Sequence, residues 1–348
     1  MNKMERNSAH ELLRIFAMFQ IVLYHLISYY LYLLPHNSAY DYILEATLPT
    51  FHIGVILFIL ITGYYGIKPS IKGLFHLLFI VLVYYLPIEI VNCIYNQEKL
   101  FNTLLFITNT PYWFIRTYFY LYLISPILNT YLRVAKQRDI NIMLFFLGII
   151  AVYFGMMQGD SSLKDGKNLV NFMFLYFLGW TIHHYQSVWE NVRKYCWIVF
   201  FMILNCLTFI ILLKFNRHSY IGQIMWQCSF LYCSPLLILN SILLFMFFSG
   251  LHFHSKVINY LGCSTFAVYI IHCQPTFHKY IIMPLITIIS TNYFSYTQSS
   301  LNIVFMYIIF IGLTIGIMLM SIGIDKALTP LWKIEQRFCV WLENKING

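Results

Sequence analysis

The sequence predicts an all-α polytopic membrane protein with about ten transmembrane helices and both termini cytoplasmic. Its 348 residues are 60% hydrophobic and only 10% charged, and apolar runs of about twenty residues recur from one end to the other. That is the length a helix needs to cross a hydrocarbon core of about 30 Å. A transmembrane barrel would show alternating segments of about ten residues, which the unbroken runs contradict. Lys and Arg, assigned to alternate sides of the runs, divide 15 to 7 in favour of the side holding the N-terminus. By the positive-inside rule that side is the cytoplasm, and the membrane is the cell membrane, crossed many times.

The spans fall at about 12–34, 50–67, 74–95, 112–131, 140–156, 169–184, 197–214, 228–250, 257–285 and 301–324. The first is too long for a signal-peptide core and lacks a small-residue cleavage pattern, so it is expected to be a retained span. Pro87 in the third, and Pro275 and Pro284 in the ninth, are candidate kinks. No connection is long enough to fold separately, the largest being around 96–111, 156–168 and 286–300. Residues 1–348 therefore read as one membrane domain: a bundle over about 12–324, followed by a cytoplasmic tail over 325–348. In the tail Leu331, Trp332, Ile334, Phe338, Trp341 and Leu342 outline an apolar face suited to the inner membrane surface.

The net charge of +9 is scattered in short clusters between apolar runs, a topology signal and not a nucleic-acid-binding tract. The eight cysteines, at 93, 196, 206, 228, 233, 263, 273 and 339, form no Cys-x-x-Cys and read as small buried hydrophobes. His183-His184 and His252-x-His254 lie at inner helix ends without zinc-type spacing, so no metal site is expected. Phosphate-binding Gly-rich loops, nucleophile elbows and kinase motifs are missing. Gly63-Tyr64-Tyr65-Gly66 reads mainly as a helix terminus.

Titratable groups inside a membrane helix are costly and usually functional. The first span carries Glu11, Arg14 and His25. Arg14 and His25 are eleven residues apart, about three turns plus roughly 20°, so they share a face and should line one cavity about 16 Å long. An imidazole there can take a proton from a hydroxyl and return it to a leaving group, its unperturbed pKa being about 6.5. The alternative is a histidine bonded to a neighbouring helix for packing. Arg14 suits a phosphate or pyrophosphate, or else serves only as an interfacial charge. Glu11, one turn earlier, can pair with it and fix its geometry.

Further along, Tyr269 and His272 sit three apart in the ninth span, ahead of Pro275, whose ring frees carbonyls of the kind that line cavities. The fourth span opens Thr110-Pro111-Tyr112-Trp113-Phe114-Ile115-Arg116. Its Trp113 and Arg116 suit a sugar ring, or else form an interfacial belt. Glu89, near the outer end of the third span, is a possible partner for Arg116.

These residues resemble the membrane acyltransferase family 3. Arg14, ten residues and His25, with an acid at position 11, look like its defining motif. Phe58-Ile-Leu-Ile-Thr62-Gly63-Tyr64, Trp113-Phe114, Leu178-Gly179 and Ser264-Thr-Phe266-Ala-Val-Tyr269-Ile-Ile-His272 resemble its later motifs, in the same order. The resemblance implies a ten-helix enzyme that moves acetyl or a similar short acyl group from acetyl-CoA or another acyl-CoA to a hydroxyl of a cell-surface glycan or its lipid-linked precursor. It implies no permanently bound cofactor, with acyl-CoA as co-substrate, His25 as the central catalytic residue, acting as general base or as transient carrier of the acyl group, Arg14 on the donor and Glu11 beside it. Trp113, Arg116, Tyr269, His272 and Glu89 are the expected acceptor-side residues. Thr62 departs from the family's serine, and no hydrolase-like domain is expected after the tenth span. The rival class is a transporter or flippase of a polysaccharide precursor, whose signs would be an internal repeat and several broken helices. Neither is clear in the sequence. A scaffold would not need Arg14 and His25 on one face.

Overall fold

The computed structural model describes residues 7–33, 39–96, 112–157, 162–189, 191–215, 219–293 and 300–347. Among them there is no strand, and seven stretches are long and apolar enough to cross a membrane: Ser8–Leu33, Tyr42–Tyr65, Ile71–Tyr95, Gln137–Met156, Lys194–Lys214, Tyr220–Ser249 and Ile303–Ala327. Thr110 and Pro111 of the fourth span, and Lys3, Arg6, Lys99 and Arg217 among the Lys and Arg divided 15 to 7, lie outside the described residues.

Helix α1 (Ser8–Leu33) is the axis of the bundle. It touches α2 (Ala39–Phe51), α3 (Gly54–Tyr65), α10 (Pro235–Ser249), α11 (Lys256–Gly262), α12 (Thr265–His272), α13 (Met283–Tyr293) and α14 (Ser300–Ala327). Around this core run α4 (Ile71–Asn96), α5 (Trp113–Val134), α6 (Gln137–Ile149), α7 (Leu169–His184), α8 (Lys194–Lys214) and α9 (Tyr220–Phe230). The contrast between α1 and α8 follows from their side chains. α1 buries Leu13, Ala17, Met18, Val22, Leu26 and Tyr30 against its neighbours, whereas α8 leaves Phe200, Met202, Ile203, Leu207 and Ile210 exposed, a surface suited to lipid.

Three of the ten predicted spans are not among those seven. α5 is 22 residues but carries Arg116, Pro126 and several hydroxyls, and α7 is 16 residues long, about 24 Å at 1.5 Å per residue. α7 is held by a close crossing with α3. A Cβ on Gly63 would lie 2.2 Å from the Tyr176 carbonyl oxygen, and one on Gly179 2.3 Å from that of Leu60. Only glycine permits that approach, so Gly63 is a packing residue and not merely part of a terminus. Gly66, at φ +70°, ends α3.

The ninth predicted span is broken into α11, α12, a one-turn helix Pro275–Phe277 and a π segment His278–Ile282 before α13. The eighth is also broken. Between α9 and α10 the chain unwinds over Leu231–Ser234, where Ser234 Oγ caps the Leu236 N–H and Pro235 starts the next helix. The second begins earlier than the sequence suggests: α2, absent from the predicted spans, leads into α3 through a break at His52–Ile53 just after Pro49.

Asp325 at the end of α14 accepts from Ser264 at 2.6 Å and from Tyr84 at 2.7 Å, tying the α11–α12 break to α4. The final helix α15 (Thr329–Asn347) lies against α4, where buried Glu335 meets His76 Nδ1 at 3.2 Å, and turns Ile334, Phe338, Val340 and Trp341 outward. The cysteines are less uniformly buried than expected. Cys93, Cys233 and Cys339 are buried, but Cys206 and Cys263 are exposed: Cys206 on the apolar outer face of α8, and Cys263 on the α11–α12 break, where its thiol donates to the Asn259 carbonyl at 3.1 Å.

Candidate active site

α1 supplies two centres. Near its start Arg14 Nη1 donates to Glu11 Oε1 at 2.6 Å. Glu11 is 4% exposed, and its other oxygen, Oε2, is buried without a hydrogen-bond partner among the described residues. Gly262 makes room for it, since a Cβ there would fall 2.5 Å from Oε2. This pair borders a cavity of about 380 Å³ lined also by Thr62, His76, Phe114, Tyr118 and Tyr122.

Further along the helix His25 lines a second cavity of about 150 Å³, with Tyr24, Tyr29, His52, Trp113, Tyr232, Tyr269 and Cys273. The helix breaks converge here. His52 comes from the α2–α3 break, Tyr232 from the α9–α10 break, and Cys273 from the end of α12. Irregular backbone is tolerated at membrane depth where it borders a cavity, and the breaks bring an imidazole, a phenol and a thiol to the cavity that His25 lines.

His25 Nδ1 lies 3.1 Å from His272 Nε2, and His272 Nδ1 lies 2.8 Å from the Val268 carbonyl oxygen. A carbonyl only accepts, so His272 carries its hydrogen on Nδ1 and offers a lone pair at Nε2. His25 must then donate from Nδ1. In the neutral ring this leaves the lone pair of His25 on Nε2, which has no hydrogen-bond partner among the described residues. The arrangement can accept a proton from a hydroxyl at Nε2 and support the resulting imidazolium through Nδ1.

The sequence-predicted residues separate into three groups. Trp113, Tyr269 and His272 gather with His25: Trp113 and Tyr269 line its cavity, and His272, 6% exposed, backs it. Glu11 and Arg14 form their own centre. The expected shared cavity of Arg14 and His25 is divided, because Phe114, which lines the Arg14 side, packs against Tyr269, which lines the His25 side, at 5.4 Å between ring centroids. The shared helical face is real, but side chains from α5 and α12 fill the middle of it.

Arg116 and Glu89 stand apart. Arg116 lies against Leu77, Leu78 and Val81 of α4, about 12–18 Å along that helix from Glu89. Buried Glu89 instead accepts from Gln274 Nε2 at 2.7 Å and Thr276 Oγ1 at 2.9 Å. The expected Glu89–Arg116 pair therefore does not form. Glu89 anchors the turn that follows His272, since the oxygen of Gln274 accepts the Phe277 N–H at 2.5 Å.

Sequence reasoning missed His52, Tyr24, Tyr29, Tyr232 and Cys273. His52 stacks on Tyr232 at 4.3 Å and leans on Tyr24 at 4.4 Å. Lys167, counted only as a topology charge, lies over the Trp113 ring at 5.8 Å. The Ser234-Pro235 and Gln274-Pro275 pairs, each a cap followed by a helix-starting proline, were the available signals for two of the breaks.

A helical membrane bundle that seats an oriented imidazole pair on an inner cavity, one partition away from an arginine–carboxylate pair, has the parts of a membrane-embedded transferase. The chain belongs to the acyltransferase 3 family, whose model, described as an acyltransferase domain, matches residues 7–322. Comparisons with curated proteins and with solved structures found no match.

Proposed function

We propose that the protein moves acetyl, or a similar short acyl group, from cytoplasmic acyl-CoA to a hydroxyl of a cell-surface polysaccharide or its lipid-linked precursor. In this reading ten spans cross the cell membrane with both termini inside, α5, α7 and the broken α11–α13 segment bringing the seven to ten. His25 acts as general base. Its Nε2 takes the hydroxyl proton as the oxygen attacks the thioester carbonyl, and returns that proton to the departing coenzyme A sulfur. His272 is the positioning residue that holds the His25 tautomer, as an orienting partner does in a nucleophile–base–orienter array.

Arg14, fixed by Glu11, takes the donor phosphates at the larger cavity, and the acyl arm reaches His25 past Phe114 and Tyr269. Trp113 and Tyr269 offer ring faces to the sugar. Glu89 acts through Gln274 on the His272 turn, and Arg116 belongs to the outer surface of the bundle. The single observation that carries this reading is the His25–His272–Val268 chain of contacts at 3.1 and 2.8 Å. In a deletion strain complemented with His25→Ala, surface glycan should lack O-acyl signals by NMR while the protein stays inserted and abundant. Retained acylation would sink the assignment.

Transport of a polysaccharide precursor is the second reading, favoured by the breaks at His52–Ile53, Leu231–Ser234 and Cys273–Gln274 beside one cavity. A deletion that stops glycan export, instead of changing only its acylation, would select it.

A further inference from the structure

We propose that His25, His272 and Cys273 form a binding site for a divalent metal ion of the zinc class, and that the bound ion switches transfer off. The inhibitory consequence rests on His25 being the base; the site itself rests on geometry alone. One donor atom from each residue lies within 4.8 Å of the others. His272 Nδ1 is engaged by the Val268 carbonyl, the outer partner that orients metal-bound histidines.

What points to a cation is the conflict at His272 Nε2. His25 Nδ1 approaches it at 3.1 Å and Cys273 Sγ at 3.2 Å. Both can meet that nitrogen only as hydrogen donors, yet one imidazole lone pair serves one good hydrogen bond. A metal ion reverses the conflict, because all three groups can then turn lone pairs toward one centre. Zinc–nitrogen bonds of about 2.1 Å and zinc–sulfur bonds of about 2.3 Å place tetrahedral donors roughly 3.4–3.7 Å apart. The present separations reach those values by shifts of a few tenths of an ångström to about 1 Å. Two nitrogens and a sulfur favour zinc over magnesium or calcium. The fourth position faces the cavity of about 150 Å³, where a water or the acceptor hydroxyl fits.

The proton balance gives the inhibition. Cys273 loses its thiol proton to solvent as the sulfur–metal bond forms. His25 moves its hydrogen from Nδ1 to Nε2 as the Nδ1–metal bond forms, and His272 keeps its hydrogen on Nδ1. No oxidation is involved. His25 Nε2, now carrying a hydrogen, has no lone pair for the hydroxyl proton.

The test uses the full chain in lipid nanodiscs with Co²⁺ as a spectroscopic probe. One Co²⁺ per chain should bind with a thiolate-to-metal charge-transfer band, displaced by equimolar Zn²⁺. The band should vanish in Cys273→Ser and persist in Cys206→Ser, whose thiol is exposed on α8. Zn²⁺ should also slow maleimide alkylation of Cys273 in the unaltered chain at least tenfold, a readout that needs no variant. In the transfer assay Zn²⁺ should inhibit, EDTA should restore activity, and Cys273→Ser should raise the half-inhibiting Zn²⁺ concentration at least tenfold. A missing Cys273-dependent band together with unprotected alkylation overturns the site. Loss of activity in EDTA with recovery in Zn²⁺ overturns the inhibitory role. If the band appears but His25→Ala still transfers acyl groups, the site stands and the reading of His25 as base falls.

Discussion

His25 Nδ1 lies 3.1 Å from His272 Nε2, joining rings 247 residues apart in the chain. The Val268 carbonyl behind His272 sets the direction of the bond. With His25 as the proposed base, His25→Ala should lower acyl transfer by about 10²–10⁴-fold. His272→Gln leaves the base but loosens its tautomer, so kcat should fall by about 10- to 100-fold with KM for acyl-CoA nearly unchanged. Single-turnover transfer from radiolabelled acetyl-CoA in nanodiscs separates the two. An unaltered kcat in His272→Gln would remove its positioning role.

Arg14 and Glu11 make one unit with Gly262. Arg14→Ala should weaken acetyl-CoA binding by about 10- to 100-fold, the loss of a hydrogen-bonded charge worth about 1.5–3 kcal/mol. Gly262→Ala, which forces a Cβ to 2.5 Å from Glu11 Oε2, should shift donor affinity the same way. In a Glu11→Ala background that shift should disappear. Isothermal titration of the four variants reads the coupling.

The α3–α7 crossing has little slack. Gly179→Ala places a Cβ 2.3 Å from the Leu60 carbonyl oxygen and should destabilise the protein by about 1–3 kcal/mol. A lowered midpoint of thermal unfolding in detergent is the measurement. An unchanged midpoint would mean the crossing yields freely.

Glu89 and Arg116 should behave as strangers. Glu89→Gln weakens the charge-assisted acceptance from Gln274 and Thr276, at about 2.7–2.9 Å, and should reduce transfer by way of the His272 turn. Arg116→Ala should add to it independently, within about 0.3–0.5 kcal/mol in a double-mutant cycle on transfer rate. A larger coupling would restore the pair expected from the sequence.

Which features were legible in the sequence depends on the range of the interaction. α1, α4, α8 and α14 follow from long apolar runs, because lipid accepts nothing else over that length. The breaks at His52–Ile53 and Leu231–Ser234 are short, and a twenty-residue reading of hydropathy averages them away. Arg14 and His25 do share a helical face, as 3.6-residue periodicity requires. The partition between them is invisible to that argument, since Phe114 and Tyr269 arrive from other helices. His272 was recognisable as buried polar chemistry, but its contact with His25 is a tertiary fact. Arg116 and Glu89 were paired on their shared distance from span ends, which says nothing about facing.

Phe114→Ala should join the two cavities. Acetyl-CoA hydrolysis without acceptor, measured as free thiol, should then rise, because water reaches the thioester along the opened route. An unchanged rate would mean that other side chains close it.

The contact of Phe114 with Tyr269 bears on the economy of the cell as well as on catalysis. A continuous water-filled passage from Arg14 to His25, about 16 Å long, would cover about half of a hydrocarbon core of about 30 Å. It would thin the barrier to protons driven by the transmembrane voltage, which is worth about 2.3 kcal/mol per elementary charge at 100 mV. Two apolar ring faces interrupt that water chain. The bundle can thus hold polar chemistry at two depths and still act as an insulator.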